Sequence, residues 1–259
     1  MDRGVSGNSI DEIAQDGFVV VEDVFDSATV DTLVRELAKA RIDVLGSQRA
    51  GRVFGLRNLL NAVPATRDLA NSDALKSLVN PILGNTARAV RAIYFDKHKN
   101  ANWKVTWHQD LTIAVREKLD VEGFSAWSIK AGIPHVQPPL PILNNMLTLR
   151  VHLDHTDETN GALRVLPGTH RHGRLDATQI QHWKENQKVI TCSVRRGGVM
   201  VMKPLLLHSS LPALEPEHRR VLHFEYSSVD LPGGLEWFEE SASGQMCGTP
   251  GALSPVSRA

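Results

Sequence analysis

The sequence predicts a mainly β protein: a double-stranded β-helix (jelly-roll, cupin-like) with N-terminal helices packed on it. Two observations carry this. From about Thr86 onward, short β-rich runs follow one another between Gly, Pro and Asn, without the intervening helices that βαβ units need. Before that point, apolar residues recur at helical spacing.

A capped helix is expected near Ser9 to Gln15, then a strand at Phe18 to Val21. Asp26 or Ser27 caps a second helix, in which Val30, Leu33, Val34 and Leu37 form one apolar stripe. A third runs from Asp73 to Leu83 and stops near Gly84. The expected strands are Ala87 to Phe95, Met146 to Asp154, Ala162 to Leu166, Val189 to Val194, Val199 to Met202 and Val221 to Ser227, closing a jelly-roll. Leu111 to Pro141, with four prolines, reads as a long irregular flap over the site.

This pattern makes one domain of residues 1–259, with a helical part over about 1–85, a barrel core over about 86–230 and a loose tail at 241–259. Twenty-nine basic residues balance twenty-nine acidic ones, which argues against a nucleic-acid or anionic-membrane partner. No apolar run reaches the length of a membrane span, no secretory signal is evident, and two cysteines are too few for a disulfide framework. A cytoplasmic location is the simplest expectation.

The chemistry is expected at His108-Gln109-Asp110, which follows the run Trp103 to Trp107. Residues two apart at a strand end point to one side, so an imidazole and a carboxylate converge on one cation. Together with a second histidine they suit Fe(II) and leave three positions open. His152-Leu153-Asp154 is a rival with the same spacing, on a strand whose Thr148, Arg150, His152 and Asp154 read as a solvated face. Spacing alone does not choose between the two.

Downstream, His208 ends the apolar run Val201 to Leu207, and Arg219 opens the next strand. On antiparallel neighbours, His208 would reach the metal, and the Arg219 guanidinium would bind the far carboxylate of a dicarboxylic acid whose 2-oxo acid end chelates it. The competing reading pairs Arg219-Arg220 with Glu215 or Glu217 at the surface. The joint order, HxD first, a distant histidine, then an arginine on the next strand, favours the metal site.

Three blocks carry a family resemblance: NWKVTWHQD at Asn102 to Asp110, LDHTDETNGALRVLPGTHRHG at Leu153 to Gly173, and PLLLHSSLPALEPEHRRVLHFEY at Pro204 to Tyr226. From about Gly17 to Trp237 the chain resembles the phytanoyl-CoA dioxygenase family of 2-oxoglutarate oxygenases. The resemblance implies a 2-oxoglutarate-dependent dioxygenase that uses Fe(II), 2-oxoglutarate and O₂ on a small-molecule substrate. It implies His108, Asp110 and His208 as iron ligands and Arg219 as cosubstrate anchor, and it demotes His152/Asp154. It also implies softer cosubstrate roles for Lys97, which otherwise reads as a strand-end charge, and for Trp127. Because Asp110 stands where related halogenases have a small residue, hydroxylation is expected. Ala213 departs from the pattern, since many relatives carry Asn and Ser between the distal histidine and the arginine.

The alternatives are a non-catalytic jelly-roll that binds a ligand or metal, and a cupin-like metal protein without 2-oxoglutarate. Arg57, Lys130, His135, Gln137 and Arg150 are groups able to meet a substrate carboxylate or phosphate, although surface positions are the plainer expectation for each. Phe54 to Leu60 reads as either a substrate wall or a packed connector.

Overall fold

A computed structural model describes residues 7–40, 46–49, 52–214 and 217–240. The tail expected at 241–259 and Glu215 therefore lie outside the described residues. The N-terminal part runs α1 (Gly7–Asp16), β1 (Phe18–Val21), α2 (Ser27–Ala40), β2 (Gly46–Arg49), β3 (Arg52–Leu56), α3 (Leu59–Ala62), α4 (Pro64–Ala70) and α5 (Asp73–Leu83). Next come β4 (Arg88–Lys97), β5 (Val105–His108), β6 (Ile113–Ala114), β7 (Ser125–Lys130), β8 (Ile133–Gln137), α6 (Leu140–Asn144), β9 (Met146–His152) and β10 (Leu163–Val165). The chain closes with α7 (Ala177–Asn186), β11 (Ile190–Cys192), β12 (Val199–Met202), β13 (His208–Ser210) and β14 (Arg219–Ser227).

Helices α2 and α5 start where a side chain can accept from the first turn. Asp26 Oδ1 accepts from the Thr29 amide at 2.8 Å, and Ser72 Oγ accepts from the Leu75 amide at 3.4 Å. The stripes that follow, Val30, Leu33 and Leu37 on α2 and Leu75, Leu78 and Val79 on α5, are buried. They pack on the outer face of a seven-stranded sheet of order β1-β12-β9-β14-β4-β3-β2, against Leu147, Leu149, Val151, Val201, Leu222 and Phe224. A smaller sheet, β11-β10-β13-β5, faces it, with Leu163, Val165 and Cys192 packed on Met200 and Met202. Among the described residues no helix is long and apolar enough to cross a membrane.

Two expectations change here. The segment Leu111 to Pro141 is not irregular: β6, β8 and β7 form a small antiparallel sheet within it, in which Ile113 and Val136 are fully buried. The polar face of β9 is not solvated either, since Thr148, Arg150 and His152 are buried like Leu149 and Val151 between them. Both faces of a central strand are covered, one by helices and the other by the opposing sheet. Alternation then records two chemically different interiors. A slip of one residue would carry Arg150 and His152 onto the helices and would forfeit roughly 2 kcal/mol for each displaced leucine or valine, which pins the register.

The stretch from Phe54 to Leu60 is largely a packed connector, with Leu56, Leu59 and Leu60 in the helix-facing core. Its Leu60 amide donates to Glu239 Oε2 at 2.8 Å, which ties the C-terminal segment to α3. Burial pushes the Glu239 carboxyl from 4.5 up to about 7, against the opposing pull of the Leu60 amide and the Arg91 charge. Because the folded-state value lies above the unfolded one, this group favours the fold fully below pH 4.5. That contribution is lost as pH rises to about 7. Glu239→Gln is therefore expected to raise the unfolding free energy by on the order of 3 kcal/mol at pH 8 and by almost nothing at pH 4.5. Chemical denaturation at the two pH values measures the difference, and an equal effect at both would contradict it.

Candidate active site

The inward face of the large sheet is a set of rows, because β14 pairs with β4 on one side and β9 on the other. Arg219 lies opposite Lys97, Val221 opposite Phe95 and His152, His223 opposite Ile93 and Arg150, and Glu225 opposite Arg91 and Thr148. Paired residues point to the same face, so these side chains converge inside the barrel. Successive rows are about 7 Å apart.

Across the barrel, β13 and β5 place His208 directly opposite His108, with ring centroids 4.2 Å apart. Asp110 lies between them: its Oδ1 is 3.6 Å from His108 Nε2 and its Oδ2 is 3.8 Å from His208 Nε2. Those separations are too long for hydrogen bonds. The three ligand atoms nonetheless lie within 4.8 Å of one another, the spacing that ligands of one shared ion adopt. The ring tautomers agree. His108 Nδ1 donates to Thr106 O at 2.9 Å and His208 Nδ1 donates to Leu206 O at 2.8 Å. In the neutral rings, both Nε2 lone pairs are therefore left facing the carboxylate.

Gln109, between the two ligands of the motif, holds this turn. Buried, it donates to Gly173 O and Leu205 O at 2.8 and 2.7 Å and accepts from the Leu175 amide at 2.8 Å, while the Asp110 amide donates to Pro204 O at 2.9 Å. Thr169, from the Pro-Gly-Thr-His turn, accepts from the Leu207 amide at 2.9 Å and so fixes the approach to His208. Spacing arguments skip the middle residue of HxD, yet its carboxamide is what keeps both ligands facing one way.

The charges suit a metal. Burial would raise the Asp110 carboxyl, but the His208 and His108 rings facing it hold it far below the usual carboxylate range. Burial lowers His208 to about 4 in spite of Asp110. At His108 burial also lowers proton affinity, but the facing Asp110 carboxylate outweighs it and the net shift is upward. A cation would take the place of that proton.

Arg219 is buried at 4% exposure, which excludes the surface-pair reading. Among the described residues its Nε has no hydrogen-bond partner, and the two nearby carboxylates are engaged elsewhere: Asp96 with His218 at 3.0 Å and Asp154 with Arg220 at 2.6 Å. Lys97 is fully buried, not a solvated strand end, and its Nζ donates to Ser210 Oγ and Leu211 O, both at 2.6 Å. Burial, with Arg219 and Arg150 nearby, lowers Lys97 to about 6; burial, with Arg150, lowers Arg219 to about 9. Neither forms an ion pair among the described residues, so this end of the barrel is short of negative charge. Gly161 backs onto it with φ 82°; a Cβ there would lie 2.7 Å from Leu211 O and 3.1 Å from Lys97 Nζ.

The rival motif is used structurally. Asp154 receives the Arg220 guanidinium through both oxygens, and His152 Nδ1 lies 2.8 Å from Thr156 Oγ1. Ala213 sits in a clamp in which Asn102 both donates to its carbonyl, at 2.9 Å, and accepts from its amide, at 2.7 Å. Trp127, on β7, packs against the apolar cluster beneath the small sheet, with Lys118 Nζ 5.9 Å from its ring centre. Arg150 and His135, for which surface positions were the plainer expectation, are buried.

Residues 13–221 match the model of the phytanoyl-CoA dioxygenase (PhyH) family. The chain belongs to the phytanoyl-CoA dioxygenase family. Like the members of that family it is a 2-oxoglutarate-dependent dioxygenase, with Fe(II) as its metal cofactor, 2-oxoglutarate as its cosubstrate and O₂ as its oxidant. Its relatives include an ectoine dioxygenase of Bordetella bronchiseptica, 23% identical over 87% of this chain and 76% of the relative. Among solved structures, EctD from S. alaskensis, crystallised with 2-oxoglutarate and 5-hydroxyectoine, is 18% identical with a TM-score of 0.68, covering 87% of this chain and 77% of that one. The carbocyclase SnoK from nogalamycin biosynthesis is 15% identical with a TM-score of 0.67, covering 87% of this chain and 85% of that one. These likenesses bear out the predicted jelly-roll of the phytanoyl-CoA dioxygenase family.

Proposed function

We propose that this dioxygenase hydroxylates a small molecule, with His108, Asp110 and His208 as the iron ligands and Arg219 as the anchor for the far carboxylate of 2-oxoglutarate. The observation that carries the reading is the convergence of two imidazole Nε2 atoms on one carboxylate in the barrel that also holds a buried arginine with no ion-pair partner among the described residues. Iron bound there supplies the centre at which O₂ oxidises 2-oxoglutarate to succinate and CO₂, one oxygen atom entering succinate and the other the substrate.

The protein's own part is positional. Two neutral rings and one carboxylate leave one face of an octahedral ion open. Arg219 supplies the positive charge that a dicarboxylate needs at this end of the barrel, a bound carboxylate would favour protonation of Lys97 beside it, and the Ser210 and Leu211 oxygens fix where Lys97 points. His152 adds a buried neutral ring in the next row. With the open face taken by a chelating 2-oxo acid and O₂, the Asp110 carboxylate would occupy the position that a halide needs, which favours hydroxylation.

The test is release of CO₂ from carboxyl-labelled 2-oxoglutarate by the Fe(II)-loaded chain, with succinate formed in equal amount. Candidate small molecules would be added in turn, starting with ectoine, the compound in the relatives' names. A compound that stimulates turnover and gains one oxygen atom is the expected result. Turnover that yields a desaturated or cyclised product would overturn the hydroxylase assignment.

A further inference from the structure

The end of the barrel opposite Arg219 holds a second polar group that the triad and the cosubstrate anchor do not use. Thr112, two residues beyond Asp110, accepts from Lys130 Nζ through its hydroxyl at 3.0 Å and faces Arg91 Nη1 with its carbonyl at 3.5 Å. Arg91 also donates to Glu225 Oε1 at 3.0 Å. His223 links that carboxylate to Arg150: Nδ1 accepts from Arg150 Nη1 at 3.0 Å, so Nε2 carries the proton that faces Glu225 at 3.4 Å. A continuous polar floor thus runs from the centre of the barrel to Arg91.

His135 stands over this end, fully buried. Its Nδ1 lies 2.9 Å from Ile133 O, and a carbonyl only accepts, so Nδ1 holds the proton and Nε2 presents a bare lone pair. Among the described residues that Nε2 has no hydrogen-bond partner, and neither has the buried Thr148 hydroxyl in the Glu225 row. Burial, with Arg91, Lys130 and Arg57 nearby, lowers His135 to about 4, which keeps the ring neutral and the lone pair free. Among the described residues Lys130 forms no ion pair and is only partly buried, so a molecule entering from solvent reaches it. Three cations, Arg57, Arg91 and Lys130, stand here against Glu225, Glu239 and, from the triad, Asp110, and burial leaves Glu239 about half neutral near pH 7.

We propose that the substrate carries an anionic group, a carboxylate or a phosphate, held by Lys130 and Arg91, with an adjacent hydrogen-bond donor that satisfies His135 Nε2. The proposal rests on the hydroxylase reading of the same barrel. It assigns the two ends to two anions, the cosubstrate to Arg219 and the substrate to Lys130, with the metal ligands between them. The chemistry of the lone pair separates otherwise similar ligands. Phosphate near neutral pH and glycolate carry both an anion and a proton to donate, whereas sulfate and acetate carry the anion alone.

Calorimetric titration of the metal-free full-length chain tests this with phosphate against sulfate and glycolate against acetate. Wild type is expected to prefer the protonated member of each pair, and whichever of phosphate and glycolate binds more tightly identifies the substrate group. Lys130→Met is expected to weaken phosphate or glycolate about tenfold, the loss of one charge-assisted hydrogen bond. His135→Phe removes the preference within each pair, whereas Arg219→Met removes only anion held at the cosubstrate end and keeps that preference. The proposal is overturned if none of the four anions binds, if sulfate equals phosphate and acetate equals glycolate, or if binding is lost in Arg219→Met and kept in Lys130→Met. The absorption band that 2-oxoglutarate gives with bound Fe(II) is measured separately on the wild type: its absence contradicts the hydroxylase reading, whereas its presence without anion selectivity contradicts only the substrate assignment.

Discussion

Asp110→Ala is expected to abolish succinate formation while leaving the fold intact, and Asp154→Ala is expected to do the reverse. Asp110 is partly buried beside two imidazoles and makes no side-chain hydrogen bond of normal length among the described residues, so its loss strands no hydrogen-bond donor in the core. Its removal takes the one anionic ligand from the ion. Loss of groups that merely support a ligand costs roughly 10 to 100-fold in affinity or activity, so loss of the ligand itself is expected to exceed about 100-fold. Asp154 receives Arg220 through both oxygens and also accepts from the Arg220 amide at 2.8 Å. Removing it strands those donors and costs about 1–3 kcal/mol of stability. Succinate assays and thermal unfolding of the two variants decide between the motifs, and inactivation by Asp154→Ala with an active Asp110→Ala would reverse the assignment.

The second large effect is expected at Arg219. Arg219→Met keeps most of the buried volume and removes the charge, and should raise the 2-oxoglutarate concentration for half-maximal turnover by on the order of 100-fold, the range for losing one side of a buried charge pair. Fe(II) affinity should change little, since the arginine is not a metal ligand. Arg219→Lys should recover part of the loss, because it restores the charge without the two-pronged geometry. An unchanged requirement for 2-oxoglutarate in Arg219→Met would place the anchor elsewhere.

Much of the architecture was legible from local chemistry. Capping residues and apolar stripes place α2 and α5, and the strict alternation along Met146 to Asp154 marks β9 and its register. The nature of the second face was not legible. A polar, charged alternate face has the same pattern whether it meets solvent or lines a barrel holding ions and ligands, so Arg150, His152 and Arg91 become visible as interior groups only once the opposing sheet is in place. The prolines between Leu111 and Pro141 suggested an irregular flap, yet Pro134 is accommodated within β8 of the small sheet.

The triad itself was legible only jointly. His108-Gln109-Asp110 and His152-Leu153-Asp154 are indistinguishable by spacing, and what separates them is the partner each carboxylate finds: two histidines for Asp110, Arg220 for Asp154. Gln109 and Asn102 escaped attention because their work is done through backbone atoms far away in sequence, at Leu205 and Gly173 for one and Ala213 for the other. Such contacts leave no local period.

The most direct measurement is an anaerobic titration of the wild-type chain with Fe(II), followed by 2-oxoglutarate, watched for the weak visible charge-transfer band of the chelated 2-oxo acid. The band should appear at one equivalent of iron, should be missing in Asp110→Ala, and should need far more 2-oxoglutarate in Arg219→Met. A folded, iron-loaded wild-type protein that never develops the band would contradict the site described above.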